Sequence, residues 1–303
     1  GKSDSKGLGA LPLHVDPRKL YKLLTACKVS NGDIVELIAG ESGGMVVEIG
    51  ERTFQLPIAD PNNWPEQPEL SGPVATVEVD DIEPLSYTAR AMSTDETRYN
   101  MRGVYFDSDC LVATNTHILI RAPHPKGSQK PMIVPAAVVQ ALLNTKPASY
   151  AVSAFEQYTV FETPDGHKII GRNSEGQFPN YKQVIPTDTA TASITGPSEN
   201  WVETMKTVGA IVEGRVKGFK LSVTPKEPLV FESSDGEGAE YSEKIKWATV
   251  TGEVKPIGFN TEYVLTCLQG ETATLSLGAG PNDPARITSE RDGYLAVIMP
   301  MRV

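Results

Sequence analysis

Five stretches of the sequence share one pattern of apolar and polar positions. A short apolar run is followed by a helix start signal and then by apolar residues spaced three and four apart, which predicts an amphipathic helix. The five start signals are Asp16, Asp80, Pro135, Ser198 and Asn260. The intervals between them are 64, 55, 63 and 62 residues. A period of this length indicates a repeated structural unit.

Alternating apolar and polar residues follow each predicted helix. Examples lie at 34–38, 45–49, 53–58, 103–106, 111–114, 219–223, 228–231 and 245–250. They predict half-buried antiparallel strands with polar outer faces. Each repeat therefore holds one helix and three or four strands, an α+β architecture. Pro-rich connections at 60–73 and 186–197 predict linkers, which divide the chain into one repeat at 1–73, two at 74–188 and two at 189–303.

Composition narrows the class of protein. Hydrophobic residues make up 40% of the chain and charged residues 22%, as in soluble globular proteins. No apolar run approaches the roughly 20 residues of a membrane helix. Cys27, Cys110 and Cys267 lie far apart in apolar contexts, which predicts buried thiols in a reducing, cytoplasmic compartment, without a disulfide or a metal site. The net charge of −10 disfavours an ordinary DNA binder, but not a protein whose basic residues line one face.

Six motifs carry a resemblance to a known family. They are STDETRY at 93–99, GVYF at 103–106, LVATNTH at 111–117, FPNYKQVIP at 178–186, GFN at 258–260 and YLAVIMPMRV at 294–303. In this order and spacing, over residues 10–303, the chain resembles the bacterial sliding clamp, the beta subunit of DNA polymerase III. The repeat agrees with this independently, because that family repeats a helix-plus-strands unit six times per subunit.

The resemblance implies a DNA-clamp fold with helices inside and sheets outside. It implies a head-to-tail homodimeric ring around double-stranded DNA, bound without regard to sequence, and no catalytic residue, cofactor, metal or membrane contact. The family's first repeat has no counterpart in this sequence. Either that part is missing from the chain or the gene encodes a shortened clamp, and ring closure depends on which holds. The predicted strand at 53–58 resembles the family's subunit-contact strand.

The resemblance also assigns residues to DNA. Arg18 and Lys19 would face phosphates from the first helix, as would Arg98 and Tyr99 from the loop after the second. The alternative for Arg18 and Lys19 is a solvated helix face. The chain departs from the family at Ala136 and Ala137, where relatives often carry basic residues, and at Asn100.

A partner cleft between the second and third domains is the other implied site. In the family it takes short peptides from DNA polymerase III, the clamp loader and repair proteins. Ile118 and Gln183 stand at positions that are commonly arginine in relatives. The matching positions are Met101, Thr114, Thr116, His117, Ile118, Leu119, Pro179, Gln183, Val184, Val297, Met299, Pro300, Met301 and Arg302.

Two other classes of protein compete with this interpretation. An enzyme is disfavoured because the sequence has no phosphate loop, no metal-ligand spacing and no nucleophile motif. Its four histidines are scattered without helical pairing. The runner-up is a divergent or mobile-element clamp paralogue that binds clamp clients without forming a ring around DNA.

Overall fold

The computed structural model describes residues 14–30, 32–39, 44–59, 68–125, 130–186, 190–211, 217–224 and 227–302. The chain divides into two compact units, one up to Glu69 and the other from Leu70 onward. Each unit is built from the repeat that the sequence predicts. No helix within the described residues is long and apolar enough to cross a membrane.

The first unit contains one repeat. Its elements are β1 (His14–Val15), α1 (Pro17–Ala26), β2 (Val35–Ala39), β3 (Gly44–Ile49) and β4 (Arg52–Ala59). The sheet order is β1-β4-β3-β2. Helix α1 begins where the sequence predicts, because the Asp16 carboxylate accepts the backbone N–H of Arg18 at 2.9 Å and Pro17 needs no partner there. The three predicted strands are confirmed to within one residue at most boundaries.

The second unit contains four repeats. The first two comprise β5 (Ala75–Val79), α2 (Glu83–Ala89), β6 (Gly103–Phe106), β7 (Cys110–Thr114), β8 (Ile118–Pro123), β9 (Met132–Pro135), α3 (Ala136–Asn144), β10 (Tyr150–Ala154), β11 (Tyr158–Glu162) and β12 (Lys168–Arg172). The last two comprise β13 (Ala192–Pro197), α4 (Ser198–Ile211), β14 (Gly218–Val223), β15 (Val230–Ser234), β16 (Glu240–Lys244), β17 (Thr249–Gly252), β18 (Val254–Asn260), α5 (Thr261–Cys267), β19 (Thr272–Leu277), β20 (Ala285–Ser289) and β21 (Leu295–Ile298).

Neighbouring repeats of the second unit exchange their leading strands. The strand before α3, β9, pairs with β6, and the strand before α2, β5, pairs with β10. The last two repeats do the same, because β18 pairs with β14 and β13 pairs with β19. Each repeat therefore completes the sheet of its neighbour.

One antiparallel pairing joins the two pairs of repeats. Residues Leu295 to Ile298 of β21 lie opposite Arg121 to Ile118 of β8. This pairing produces a nine-stranded sheet in the order β17-β13-β19-β20-β21-β8-β7-β6-β9. Two four-stranded sheets, β12-β11-β10-β5 and β16-β15-β14-β18, complete the unit.

Alternating side chains of the nine-stranded sheet supply two apolar layers. One layer joins the main core, whose largest fully buried side chains include Trp201, Tyr87, Tyr150 and Phe106. The opposite face carries a smaller cluster of Cys110, Val112, Leu119, Ile133, Phe178, Tyr181 and Val297. We call this second set the outer cluster. Both faces of the sheet are therefore covered near β7 and β8.

The strand predicted at 245–250 is wrong in detail. Residues 245–248 lie outside any strand, because β16 ends at Lys244 and β17 begins only at Thr249. The intervening Trp247 lies over Gly196, where an added Cβ would come within 2.5 Å of its ring. This packing against another strand takes the place of a continuous ladder.

The second predicted linker is shorter than the sequence suggests. Residues 192–197 form β13, since alternate side chains of this segment point into the core. Residues 60–67 and 187–189 of the two linkers lie outside the described residues.

The predicted helix caps differ in their outcome. Asn260 caps α5 as predicted, with its side-chain oxygen accepting the N–H groups of Glu262 and Tyr263. Before α2 the carboxylate of Asp81, the second residue of the predicted Asp80-Asp81 signal, accepts the N–H of Glu83 at 2.9 Å. Ser198 is the first residue of α4 and not its cap, and its buried hydroxyl makes no hydrogen bond with any described residue.

The three thiols are free, as the sequence predicts. Cys110 and Cys267 are buried, which confirms that part of the prediction. Cys27 is only half-buried, because it lies at the end of α1 in the small first unit, whose helix has no buried residue.

Candidate functional site

A cavity of about 240 Å³ opens on the outer face of the nine-stranded sheet, where β8 meets β21. Most of its wall is apolar. Its lining residues are Met101, Thr114, Thr116, His117, Ile118, Leu119, Pro179, Asn180, Tyr181, Val184, Val297 and Met299. We call this cavity the β8/β21 pocket. Ten of these residues belong to the predicted cleft, and Asn180 and Tyr181 are additions that sequence reasoning missed.

The first wall is the tight turn between β7 and β8. The side-chain oxygen of Asn115 accepts the backbone N–H groups of His117 and Ile118 at 3.0 and 2.9 Å. The hydroxyl of Thr114 donates to the carbonyl of Ile118 at 2.7 Å. These side chains replace backbone partners that the turn lacks, as Asn and Thr commonly do. They hold the turn at the pocket's mouth.

The floor of the pocket rests on the outer cluster. Tyr181 begins a short 3₁₀ turn between Pro179 and Val184. The rings of Tyr105 and Phe178 stack 4.7 Å apart, and Tyr181 meets both edge-on at 6.3 and 6.5 Å. Such edge-to-face pairs are favourable beyond the area they bury. The segment that carries Pro179 and Val184 is therefore anchored by aromatic packing.

A polar network fixes the Tyr181 hydroxyl beneath the pocket. The hydroxyl donates to the Asp107 carboxylate at 2.8 Å and lies 3.4 Å from the Cys110 sulfur. Burial, with the neighbouring Cys110 and Asp107, raises the pKa of Tyr181, so the phenol stays protonated and donates. Burial opposes ionisation of Asp107, yet the hydrogen bonds from Tyr181 and Ser108, together with Lys182, hold its pKa below the usual value. The carboxylate is therefore charged at neutral pH.

The second wall is the segment that follows β21. The N–H of Met299 donates to the carbonyl of His117 at 2.9 Å, and the N–H of Met301 donates to the carbonyl of Gly258 at 2.9 Å. Met299 is 38% exposed at the mouth of the pocket. The two backbone bonds fix the segment on both sides of Pro300.

Four residues predicted for the cleft lie outside the lining of the pocket. Pro300 and Met301 are half-buried, and Arg302 and Gln183 are exposed. The structure thus brings ten members of the predicted cleft together and leaves these four, two of them apolar, outside the lining.

Helix α5 adds an aromatic residue beside the pocket. The Tyr263 ring stacks on the His117 ring, with centroids 5.4 Å apart and planes 15° from parallel. The apolar spacing after Asn260 places Tyr263 on the apolar stripe of its helix and gives no sign of this contact. The signal available in the sequence was its place three residues after the Asn260 cap, which does not tell a core position from a surface position.

Contacts between α2 and the end of α5 fix these two helices against each other. The Tyr87 hydroxyl donates to the carbonyl of Cys267 at 2.6 Å, and the Arg90 guanidinium donates to the carbonyl of Leu268 at 3.4 Å. Because both acceptors are backbone groups at the end of a helix, these bonds fix the position of α5 against α2.

A second set of contacts lies between α2 and the start of β21. The Tyr294 hydroxyl donates to the Glu83 carboxylate at 2.5 Å, and Arg291 pairs with the same carboxylate at 3.1 Å. The pocket thus lies on a packed junction, so its shape is defined before a ligand arrives.

Two of the residues predicted to face DNA lie in the first unit. Arg18 and Lys19 are exposed on α1, and neither pairs with an acidic side chain within the described residues. Their charges are therefore available to an external anion.

The other two lie in the loop 95–101 of the second unit. Arg98 is paired with Asp95 at 3.2 Å, and Tyr99 is 60% exposed beside Gly176. The same loop ends at Met101, a residue of the pocket. This loop therefore borders the pocket as well as the solvent.

The chemistry that the pocket offers is binding. No cluster of three or more His, Cys, Asp or Glu residues suited to a metal ion occurs within the described residues. An apolar cavity bordered by a few polar groups is typical of sites that accept large apolar side chains and orient them through hydrogen bonds.

Known proteins resemble this chain in sequence. A family model described as the C-terminal domain of the DNA polymerase III beta subunit matches residues 182–302. The beta sliding clamp of Caulobacter vibrioides (strain NA1000 / CB15N) is 27% identical, and the match covers 99% of this chain and 84% of that protein. The beta sliding clamp of Treponema pallidum is also 27% identical, over 82% of this chain and 71% of that protein.

A solved structure is similar as well. The sliding clamp of Bartonella birtlesii, solved bound to griselimycin, is 25% identical with a TM-score of 0.82. The superposition covers 95% of this chain and 81% of that one. The likeness therefore extends over nearly all of this chain.

Proposed function

We infer that this chain belongs to the bacterial sliding clamps and acts as a processivity factor that encircles duplex DNA and tethers the replicative polymerase in the cytoplasm. The observation that carries this conclusion is the repeated helix-and-strands architecture, which matches a known clamp over 95% of the chain. A clamp performs no bond chemistry. It turns repeated rebinding of a polymerase into an intramolecular event at high effective concentration.

The β8/β21 pocket is the proposed docking site for clients. Its volume of about 240 Å³ suits one or two large apolar side chains from an extended peptide. His117 and Thr116 at the mouth supply polar contacts, while Gln183 and the segment 300–302 border the flanks that a longer peptide would cross. DNA polymerase III and clamp-loader subunits are the proposed sources of such peptides.

DNA contact is proposed through Arg18, Lys19, Arg98 and Tyr99. Cations on exposed surfaces would meet phosphates without reading base edges, as a sliding protein requires. We propose three domains: a part of domain I at 1–73, domain II at 74–188 and domain III at 189–303. The proposed assembly is a head-to-tail homodimer. β4, whose sequence resembles the family's subunit-contact strand, is not an edge strand, because it lies between β1 and β3 in its sheet.

Two measurements test the ring: the mass of the protein in solution and its retention on circular DNA. Light scattering should give the mass of a dimer, and the protein loaded on circular duplex DNA should dissociate when that DNA is linearised. A strictly monomeric protein that is not retained on circular DNA would contradict the ring. If that protein still bound client peptides, the paralogue that binds clients without encircling DNA would be favoured instead.

Client binding is tested separately with a short fluorescent peptide that contains a Gln and a Leu-Phe pair. We expect micromolar affinity, lost when residues 299–303 are deleted and when the Leu-Phe pair is replaced by Ala-Ala. A less disruptive variant, Met299→Ala, should weaken binding while the melting temperature stays unchanged. Unchanged peptide affinity in both protein variants would show that the pocket is not the docking site.

A further inference from the structure

Thr116, at the mouth of the β8/β21 pocket, has an unusual backbone conformation. Its φ of +77° lies in the left-handed region, which only two other non-glycine residues adopt within the described part of the chain, Lys28 and Lys146. A β-branched residue is a marked outlier there, whereas glycine would adopt the same conformation without strain. The threonine must therefore be held in this conformation by its surroundings.

The N–H of Thr116 donates to the Thr114 hydroxyl at 3.1 Å, and the side chain of Thr116 is held by Arg98. Its Nη1 donates to the Thr116 hydroxyl at 2.8 Å, while its Nε pairs with the Asp95 carboxylate at 3.2 Å. Asp95 is itself fixed, because its other oxygen accepts the N–H and the hydroxyl of Thr97 at 2.9 and 2.7 Å. These bonds from Thr97 lower the pKa of Asp95, so the carboxylate is charged at neutral pH. A planar guanidinium with several donors suits such a two-partner bridge.

The bridge connects two sides of the pocket. Thr116 lies on the turn between β7 and β8, and Met101 lines the pocket from the end of the Arg98 loop. The carbonyl of Arg98 accepts the N–H of Met101 at 2.9 Å. Asn100 secures the loop further by donating to the carbonyl of Gln177 at 2.8 Å. Arg98 therefore contacts one side of the mouth through its side chain and the other through its backbone.

We propose that Arg98, supported by Asp95, is a positioning residue of the pocket that holds Thr116 in its left-handed conformation and so sets which apolar side chains enter. The main role of the guanidinium is then to hold Thr116 at the mouth of the pocket, and any contact with DNA is secondary. The proposal rests on the proposed peptide binding. Its ligand is a peptide with a bulky apolar pair, whose side chains enter the pocket beside Thr116.

A double-mutant cycle without DNA tests the coupling. The probe is the Gln-containing Leu-Phe peptide, with a Leu-Leu version as the second ligand. Arg98→Gln should weaken Leu-Phe binding by about threefold to tenfold, the usual scale for a lost charge-assisted hydrogen bond. In a Thr116→Gly background the same Arg98 change should have no further effect, since glycine needs no support at positive φ.

Matched variants separate positioning from general damage. Arg102→Gln removes a neighbouring arginine whose only ion pair among the described residues is a 3.9 Å contact with Glu96, and it should leave peptide affinity unchanged. Thr116→Ser keeps the hydroxyl acceptor and should keep the sensitivity to Arg98→Gln. The ratio of Leu-Phe to Leu-Leu affinity should change in Arg98→Gln, a result that loss of stability alone would not produce.

The outcomes separate the positioning role from the docking function. If the unmodified protein binds neither peptide, the docking function fails and the positioning role falls with it. If it binds them and Arg98→Gln causes equal losses of affinity with Thr116 present and in the Thr116→Gly background, the positioning role is overturned while docking stands. An unchanged affinity ratio in Arg98→Gln would overturn the positioning role as well.

Discussion

The hydroxyl of Tyr181 donates a 2.8 Å hydrogen bond to the carboxylate of Asp107, a residue in the turn between β6 and β7. The bond ties the floor of the pocket to a turn outside it. Lys182 reinforces the same carboxylate at 3.4 Å and lies 5.5 Å from the centre of the Tyr181 ring. The floor is therefore fixed by a charged group that no ligand needs to touch.

Tyr181→Phe should lower the free energy of unfolding by about 1 to 3 kcal/mol, because a carboxylate that is only 12% exposed loses its phenol donor. Urea denaturation checks this value. Tyr158→Phe is the control, since the Tyr158 hydroxyl makes no hydrogen bond within the described residues and its loss should cost little. Equal stability of the two variants would contradict the role of the Asp107 bond.

The same carboxylate gives a pH dependence of stability. The pKa of Asp107 is lower in the folded protein than its ordinary value of 3.8. Its contribution is therefore fully present above that ordinary value and is lost as the pH falls through the folded pKa. Asp107→Asn should be less stable than the unmodified protein at pH 7, with the difference narrowing in acid below about pH 4. Thermal melts between pH 7 and about pH 2 measure this, and a difference independent of pH would argue against it.

Gly103 begins β6 and leaves no room for a side chain. A Cβ there would lie 2.2 Å from the carbonyl oxygen of Val134 on the paired strand β9, and backbone cannot move aside as a flexible side chain can. Gly103→Ala should destabilise the protein by about 3 kcal/mol or more, an effect of the size expected for overpacking against backbone.

Gly209→Ala is the matched control, and we expect it to change the stability of the protein in the opposite direction. Gly209 lies in α4, and the nearest neighbours of an added Cβ are at 3.5 Å, an ordinary contact distance. Alanine should therefore stabilise the helix by about 0.5 to 1 kcal/mol. Denaturant midpoints of both variants test the pair, and a loss of stability in Gly209→Ala would show that the helix is packed more tightly than described.

Salt dependence tests the contribution of α1 to DNA binding. If Arg18 and Lys19 each neutralise one phosphate, then Arg18→Gln and Lys19→Gln should each reduce the slope of log affinity against log salt by about 0.9. Lys168→Gln is the control, because Lys168 is paired with Glu162 at 3.1 Å. A slope unchanged in both α1 variants would leave these residues as a solvated helix face.

Local signals in the sequence located most elements. Asp16 and Asn260 mark helix starts through hydrogen bonds made within three residues, and Pro17 through a fixed φ that suits the first helical turn, so the pattern alone predicts them. The prediction that Ser198 caps α4 was wrong because its hydroxyl is buried, which a local pattern does not reveal.

The strand predicted at 245–250 failed for a related reason. Trp247 packs over Gly196, which lies on a different strand and far away along the chain. Alternation of apolar residues predicts a strand only where the neighbouring ladder continues, and a bulky ring that fills a space above a distant glycine ends it.

The pocket was predicted only in part because it combines distant segments. The motif resemblance supplied Ile118, Leu119 and Val297, but no periodicity predicts that β8 pairs with β21. The role of Tyr181 depends on Asp107, 74 residues away along the chain.

Arg98 shows how a resemblance can hide a second role. It was grouped with the DNA contacts, because its motif carries no sign of a partner in the turn between β7 and β8. Its bond to Thr116 accompanies a positive φ that the sequence does not reveal, since threonine rarely adopts that conformation.

The pairing of β8 with β21 also forms late in biosynthesis, because the two strands are far apart in the sequence. About 175 residues separate the end of β8 at Pro123 from the end of β21 at Ile298. At a translation rate of roughly 5 to 20 residues per second, the outer edge of β8 waits about 9 to 35 seconds for its partner. Throughout that interval Ile118 and Leu119 lack the strand that will cover them. The β8/β21 pocket is therefore incomplete until β21 has left the ribosome, and chaperones have that same period in which to shield the apolar edge.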